Sequence, residues 1–211
     1  MRPRRRLPRE FFARDPRELA LDLLNKVLVG PNGASGRIVE VEAYDGANDP
    51  GSHAYRGMTQ RTMVMFGPPG HLYVYFSYGV HWCANVVCRT DGVAAAVLLR
   101  ALAPLDGLDA MRAARPAAKR DRDLCSGPGR LCQALGINRA HNGADLVTGD
   151  VGVLVLDDGV PPPAKPVNST RVGLSAGSDL PWRWYVPGDP NVSRPNTTIR
   201  SRARTRSSRS R

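Results

Sequence analysis

Lysine is the scarce residue of this chain: Lys26, Lys119 and Lys165 are the only three, and the rest of the positive charge is arginine. Chemistry that needs an amine nucleophile therefore has few groups to draw on. Cysteine is also sparse. Cys83 and Cys88 form a C-x4-C pair and Cys125 and Cys132 a C-x6-C pair, a poor match to zinc spacings and closer to reduced thiols than to a disulfide framework. No apolar run approaches the ~18 residues of a spanning helix, and the Arg-rich start lacks the apolar core of a signal peptide. The expectation is a soluble, intracellular protein. Three familiar loops are missing as well: no G-x-S-x-G elbow, no Walker loop and no Rossmann fingerprint occurs. The four histidines, His53, His71, His81 and His141, show no H-x3-H spacing, which argues against a metal set.

What is present is enough for one core. A chain of 211 residues, 42% hydrophobic with mean hydropathy −0.32, is long enough for one well-buried domain and too short for two. The net charge of +11 is localised. Arg2, Arg4, Arg5, Arg6 and Arg9 lie at one end, and Arg200, Arg202, Arg204, Arg206, Arg209 and Arg211 at the other; without these eleven, the charges between Glu10 and Ile199 balance. The expected layout is a basic arm over 1–9, one domain over 10–194 and an Arg/Ser-rich tail over 195–211. Basic arms bind polyanions by counterion release whatever the body does.

Along the body, Asp15 and Pro16 predict the start of a helix running to Asn25. Val27 to Val29 and Gly36 to Tyr44 are predicted strands across a Pro-Asn-Gly turn. Asp45 to Met63 is a long loop, of the kind that is usually functional or disordered. His71 to Phe76 and Trp82 to Cys88 predict a hairpin with Tyr78 near its tip. Ala94 to Leu102 is a nearly all-apolar strand broken by Arg100. Helices are expected over Gly107 to Arg115 and Pro128 to Leu135, and short strands over Val151 to Leu156, Thr170 to Leu174 and Trp184 to Val186. The mixed order points to a single α/β (α+β-like) domain with no internal repeats.

The residues able to do chemistry are few. A period of two puts Glu40, Glu42 and Tyr44 on one face of their strand and Val39, Val41 and Ala43 on the other. Such a face is by default solvated, but a long loop that roofs it would leave a carboxylate there as a candidate general base. Arg100 within its apolar strand needs a carboxylate or a ligand, since a buried unpaired charge is very costly. Asn85 in the return strand raises the same demand for partners. Of the clustered aromatics, Tyr73, Phe76 and Trp82 are expected in the core, whereas Tyr78 beside Gly79 at a hairpin tip is placed to project, as wedges that replace a nucleotide do. Acyl transfer through Cys83 has no base positioned for it.

Five stretches taken together, Gly36-Arg-Ile-Val-Glu-Val-Glu-Ala-Tyr44, Ser52-His-Ala-Tyr-Arg-Gly57, Met65-Phe-Gly-Pro-Pro-Gly-His-Leu-Tyr-Val-Tyr-Phe-Ser-Tyr-Gly79, Leu98-Leu-Arg-Ala-Leu102 and Leu124-Cys-Ser-Gly-Pro-Gly-Arg-Leu-Cys-Gln-Ala-Leu135, closely resemble the bacterial form of the alkyladenine (3-methyladenine) DNA glycosylase family. The likeness runs over residues 7 to 194. It implies a single compact domain with a curved, mainly antiparallel sheet, flanking helices and a protruding β-hairpin. It implies a monofunctional enzyme of base excision repair, without metal or cofactor, acting as a monomer on double-stranded DNA with a damaged purine. No membrane is involved, and the expected location is cytoplasmic, at the nucleoid when acting. By the resemblance Glu42, not Glu40, is the general base and Arg100 helps hold its water. Tyr44, His53 and Tyr75 stack on the flipped base, Asn85 lines the pocket near a purine amino group, and Tyr78 is the intercalating wedge. Thr59 and Arg61 in the Met58-Thr-Gln-Arg-Thr-Met63 loop, and Val80 beside the wedge, are the expected DNA contacts. That loop and Val80 depart from the family's usual residues.

Two other readings compete: a damage-recognition module that flips without cleaving, and a small-molecule hydrolase or formyl-transfer-like enzyme on a related fold. The first has no need for Glu42 and Arg100 together. The second leaves Tyr78 and the arginine arms without a purpose.

Overall fold

The computed structural model describes residues 3–193, which form nine strands and four α-helices. A short strand β1 (Arg5–Arg6) and two helices, α1 (Arg9–Phe12) and α2 (Pro16–Leu23), lead into β2 (Val27–Val29) and the long β3 (Ser35–Tyr44). The hairpin strands β4 (Leu72–Ser77) and β5 (His81–Val87) precede β6 (Ala96–Asp106), and helices α3 (Leu108–Ala114) and α4 (Pro128–Leu135) follow it. Strands β7 (Leu154–Asp157), β8 (Val167–Ser169) and β9 (Arg183–Tyr185) come last.

All strand pairs are antiparallel, in the order β1-β7-β2-β3-β6-β5-β4, with β8 on β9 and β9 on β3. This is the single α/β domain with a mainly antiparallel sheet that the sequence leads one to expect. One edge of β3 is shared: β2 pairs with its first residues and β9 with Glu40 to Glu42. Local chemistry sets the helices. The Asp15 side chain accepts from the Arg17 amide at 2.9 Å and Pro16 opens α2, a cap worth about 1 kcal/mol. Leu19, Ala20 and Leu23 then bury one face, joining Ile38, Val41, Leu99, Leu102, Leu131 and Leu135 in the main core. Each such side chain contributes about 1.5–3 kcal/mol. Gly129 lets the first turn of α4 lie against the hairpin, since a Cβ there would stand 2.5 Å from the His81 ring.

The strict alternation expected along Gly36 to Tyr44 is broken. In the β3–β6 ladder Ile38 pairs with Leu102, Glu40 with Ala101 and Val41 with Leu99. Val39 is thus the extra residue in one strand and Arg100 the extra residue in the other. Two facing bulges re-aim side chains: Ile38 shares the main core with Val41 and Ala43, and Leu102 with Leu99, across an odd step. Glu40, Glu42 and Tyr44 are left on the opposite face together.

Three expectations change. Thr170 to Leu174 is not a strand; the strand lies just before it, and residues 171–174 run across the face that carries Glu42. Phe76 is exposed, not core, because it lies where the hairpin leaves the body, and it packs on its cross-strand partner Trp82 at 4.8 Å. The described residues of the expected N-terminal arm lie on the sheet. Arg5 and Arg6 pair with β7, while Arg4 and Arg9 each reach a carboxylate, Asp106 and Asp145, at 2.6 Å. The expected C-terminal tail, 195–211, lies outside the described residues. Among those residues no helix is long and apolar enough to cross a membrane.

Candidate active site

Glu42 stands in mid-strand with its side chain 0% exposed, so the solvated-face reading fails. Its Oε1 accepts from the Val172 amide at 2.8 Å and lies 3.1 Å from Arg100 Nη1, and its Oε2 accepts from the Tyr44 hydroxyl at 2.8 Å. A carboxylate offers about four lone-pair directions, so Oε2 keeps one. Glu40, equally buried, is held by four donors, two of them arginine nitrogens. Its Oε1 takes Arg100 Nε at 2.8 Å, Arg183 Nε at 2.7 Å and the Ser193 hydroxyl at 2.9 Å, and its Oε2 takes the Ser193 amide at 2.6 Å. Burial works to raise the Glu40 carboxyl, but Arg100, Arg183 and Ser193 together hold it below the usual range. The two carboxylates of one strand face are therefore unlike: Glu40 is held between two arginines and Ser193, whereas Glu42 shares one arginine and takes its other donors from a tyrosine hydroxyl and a backbone amide.

Near Glu42 is a small cavity of about 50 Å³, open on one side and lined by Tyr44, Ser52, His53, Tyr73, Tyr75, Asn85 and Leu174. It is far smaller than the ~300 Å³ at which small-molecule pockets begin. Its aromatics are ordered. Tyr73 and Tyr75 stack at 5.5 Å, and His53 meets Tyr75 edge-on at 4.4 Å with its Nδ1 3.2 Å from the Tyr73 hydroxyl. His53 is exposed at one side, but the packing of its ring against these aromatics, and then the nearby Arg61, push its pKa down to about 4 and favour the neutral ring. Burial, then the negative charge of Glu42, push the Tyr44 hydroxyl well above its ordinary value, so it stays a donor. In the wall, the Asn85 amide nitrogen donates to the Tyr73 carbonyl at 3.0 Å.

The cover comes from residues 171–174. Arg171 is clamped by Asp49 and by the Ala43 carbonyl, and its guanidinium stacks 4.6 Å from the Tyr44 ring. Val172 donates to Glu42, and Gly173 accepts from the hydroxyl of Tyr78 at 3.0 Å. Tyr78 itself is 83% exposed with φ +50° at the hairpin tip. On the other side of Arg100 lies an open groove of about 680 Å³. Val80 and His81 form one wall, Arg115, Arg120, Arg122 and Arg130 the other, with Val172 and Ser193 beside Arg100.

The structure brings Glu42, Arg100, Tyr44, His53, Tyr75 and Asn85 together, and places Tyr78 and Val80 at the rim. In the loop, Thr59 is tied to Thr62 at 3.0 Å and Arg61 stands 5.4 Å over the Tyr75 ring. Four contributors escaped sequence reasoning. Tyr73 lines the cavity rather than the main core, and its i, i+2 spacing to Tyr75 was the available signal. Asp49, Arg171 and Leu174 gave none, because the segments they join are 122 residues apart. Cys83 is buried, and burial pushes its thiol up to about 11, against the thiolate that a nucleophile needs.

A buried carboxylate beside an aromatic slot, with an arginine-lined groove nearby and a projecting tyrosine at the rim, is an arrangement suited to hydrolytic chemistry on a polyanion such as nucleic acid. Comparison with known proteins makes this particular. Residues 10–190 match the family model described as methylpurine-DNA glycosylase. A protein of Burkholderia lata is 58% identical over 191 residues, covering 90% of this chain and 92% of its own. Proteins of Streptomyces avermitilis and Carboxydothermus hydrogenoformans are each 50% identical over 192 residues, covering 89% of this chain and 90% and 98% of their own. All three bear the name "Putative 3-methyladenine DNA glycosylase". The chain belongs to the methylpurine-DNA glycosylase family: it is a DNA glycosylase of base excision repair, hydrolysing N-glycosyl bonds.

Proposed function

We propose that this enzyme extrudes alkylated purines of the 3-methyladenine type from duplex DNA into the Tyr44, His53 and Tyr75 slot, where Glu42 drives hydrolysis. The observation that carries the reading is the buried Glu42 carboxylate joined both to Tyr44 of the slot, at 2.8 Å, and to Arg100 of the groove, at 3.1 Å. Water held there by Glu42 and Arg100 attacks the sugar C1′ and gives its proton to the carboxylate. The C1′–N bond breaks with its electron pair leaving on the base, which loses the positive charge that alkylation gave it. The tyrosine faces of the slot attract a cation, and Arg61, which stands over Tyr75, has to move off that face to admit it. A cavity of about 50 Å³ has to widen to admit a purine, and the cover at 171–174 is the side without strand pairing. Asn85 faces the slot where a purine amino group discriminates between bases. The arginine groove is the support for the DNA backbone, with Val80 on its wall and Thr59 and Arg61 on the far side of the slot; this fits a purely electrostatic positioning role. A monomer acting in the cytoplasm on the nucleoid fits the four buried thiols.

The test is incubation with duplex DNA carrying N-methylated, cationic purines, the class of base for which this step is written. Free base and an intact abasic strand are expected, with no borohydride-trapped adduct: Lys26 is buried against Asp157 at 3.0 Å, and a lyase needs a free amine at the sugar. Trapping at a lysine contradicts the monofunctional assignment, and binding without release returns the recognition module.

As the wedge, Tyr78 fills the hole left by the extruded base. Stacking is worth ~1–3 kcal/mol per base, so Tyr78→Ser should weaken binding of lesion duplex about tenfold or more and slow the chemical step much less. Equal affinity of the two proteins for abasic duplex removes Tyr78 from that role.

A further inference from the structure

Arg183 belongs to no motif that marks the active site, yet it is 7% exposed and aimed at the face that holds Glu42. In the β3–β9 ladder it stands opposite Glu42, but its guanidinium turns to Glu40. Nε lies 2.7 Å from Glu40 Oε1, Nη1 donates to the Ser169 hydroxyl at 3.0 Å, and the group stacks 4.8 Å from the Tyr185 ring. Arg100 is divided between two anions, with Nε on Glu40 at 2.8 Å and Nη1 on Glu42 at 3.1 Å, and its Nη2 donates to the Ser193 hydroxyl at 3.2 Å. The buried site thus contains two carboxylates and two guanidiniums in a fixed chain, Arg183, Glu40, Arg100, Glu42.

We propose that Arg183 is a positioning residue of the reaction: it neutralises Glu40, so that Arg100 remains available to Glu42. Without Arg183, two buried carboxylates share one cation, and two such groups cannot both ionise easily. One proton then stays on the pair to higher pH, shared between the two carboxylates, and release is lost for the fraction of molecules in which Arg100 is drawn to Glu40 and Glu42 carries it. The other groups facing Glu42 cannot make good the loss. Tyr44 from its own strand, Tyr75 from β4 and Cys83 from β5 are neutral with raised pKa values, and Arg171 from the covering segment is committed to Asp49 at 2.7 Å. Around Glu40, Arg100 and Arg183 bring the positive charge. Ser193 supports the same arrangement by capping Glu40 with its amide and hydroxyl while accepting from Arg100.

This inference rests on Glu42 as the base, and the experiment separates the two. Single-turnover base release from a duplex with one damaged purine is followed across pH at saturating enzyme for Arg183→Gln, Arg183→Lys and the double variant Glu40→Gln/Arg183→Gln. Lesion-duplex affinity and thermal unfolding are measured alongside. In Arg183→Gln the acidic limb of the rate profile should move up by about one pH unit or more, a tenfold loss at fixed pH on that limb, with lesion affinity within a few-fold. Arg183→Lys keeps the charge and should bring the limb back. The double variant removes the anion that Arg183 neutralises, so its limb should also return, and it remains informative if Arg183→Gln does not fold. A rate lowered equally at every pH, or a limb still displaced in the double variant, overturns the proposal. Glu42→Gln in the same assay decides the underlying reading by itself: wild-type release from that variant removes Glu42 as base, whatever the Arg183 variants do.

Discussion

Asp49→Asn should cost about 3–5 kcal/mol of folding stability, the loss typical when one member of a buried ion pair is removed. Asp49 and Arg171 are both 0% exposed and joined twice, Nη1 to Oδ2 and Nη2 to Oδ1 at 2.7 Å. Arg171 also donates to the carbonyls of Ala43 and Gly177, each at 3.0 Å. An asparagine keeps the shape but turns an N–H toward the guanidinium and leaves its charge uncompensated. For a domain of this size the penalty is a fall in Tm of roughly 6–20 °C, at 2–4 °C per kcal/mol. Activity should suffer with it, because the same pair holds residues 171–174, whose Val172 amide binds Glu42 and whose Leu174 closes the slot. Replacing both members by apolar residues, Asp49→Leu with Arg171→Met, should recover much of the stability, since buried pairs are often replaceable but seldom divisible. Denaturant unfolding of the single and double variants checks this; an Asp49→Asn protein within 1 kcal/mol of wild type shows that the pair does not anchor the cover.

Much of this was legible in the sequence wherever one strand or one turn decides the outcome. Asp15-Pro16 announced α2, Ser77 to Val80 announced the hairpin turn, and the i, i+2 spacing put Glu40, Glu42 and Tyr44 on one face. Illegible were the features that depend on a second, distant segment. A bulge adds one residue to a ladder and leaves composition unchanged, so nothing near Val39 or Arg100 marks them as the extra residues, although their bulges are what bring Arg100 between two carboxylates. Arg171-Val-Gly-Leu174 alternates as a strand does, yet its Val172 amide goes to a carboxylate instead of a ladder. Glu40 and Glu42 look alike in sequence; only the donors delivered by β6, β9 and Ser193 make them different. The resemblance to a family, unlike periodicity, did distinguish them, because it compares residues across the whole chain at once.

That difference has the largest expected effect on chemistry. Glu42→Gln preserves shape while removing the basic oxygen and the charge, so lesion binding should survive and base release should fall by at least the ~10²–10⁴-fold typical of a general base. Glu40→Gln should do the reverse. It leaves Arg183 and a share of Arg100 without their anion, and should lower stability by about 3–5 kcal/mol while costing far less in the rate of release. The direct measurement is single-turnover release of a damaged purine at saturating enzyme, for both variants, across pH and below their unfolding temperatures. The expected result is a Glu42→Gln enzyme that binds and does not cleave at any pH, beside a fragile Glu40→Gln enzyme that cleaves. A Glu42→Gln enzyme within a few-fold of wild type, or a Glu40→Gln enzyme that is folded and inert, contradicts Glu42 as the base.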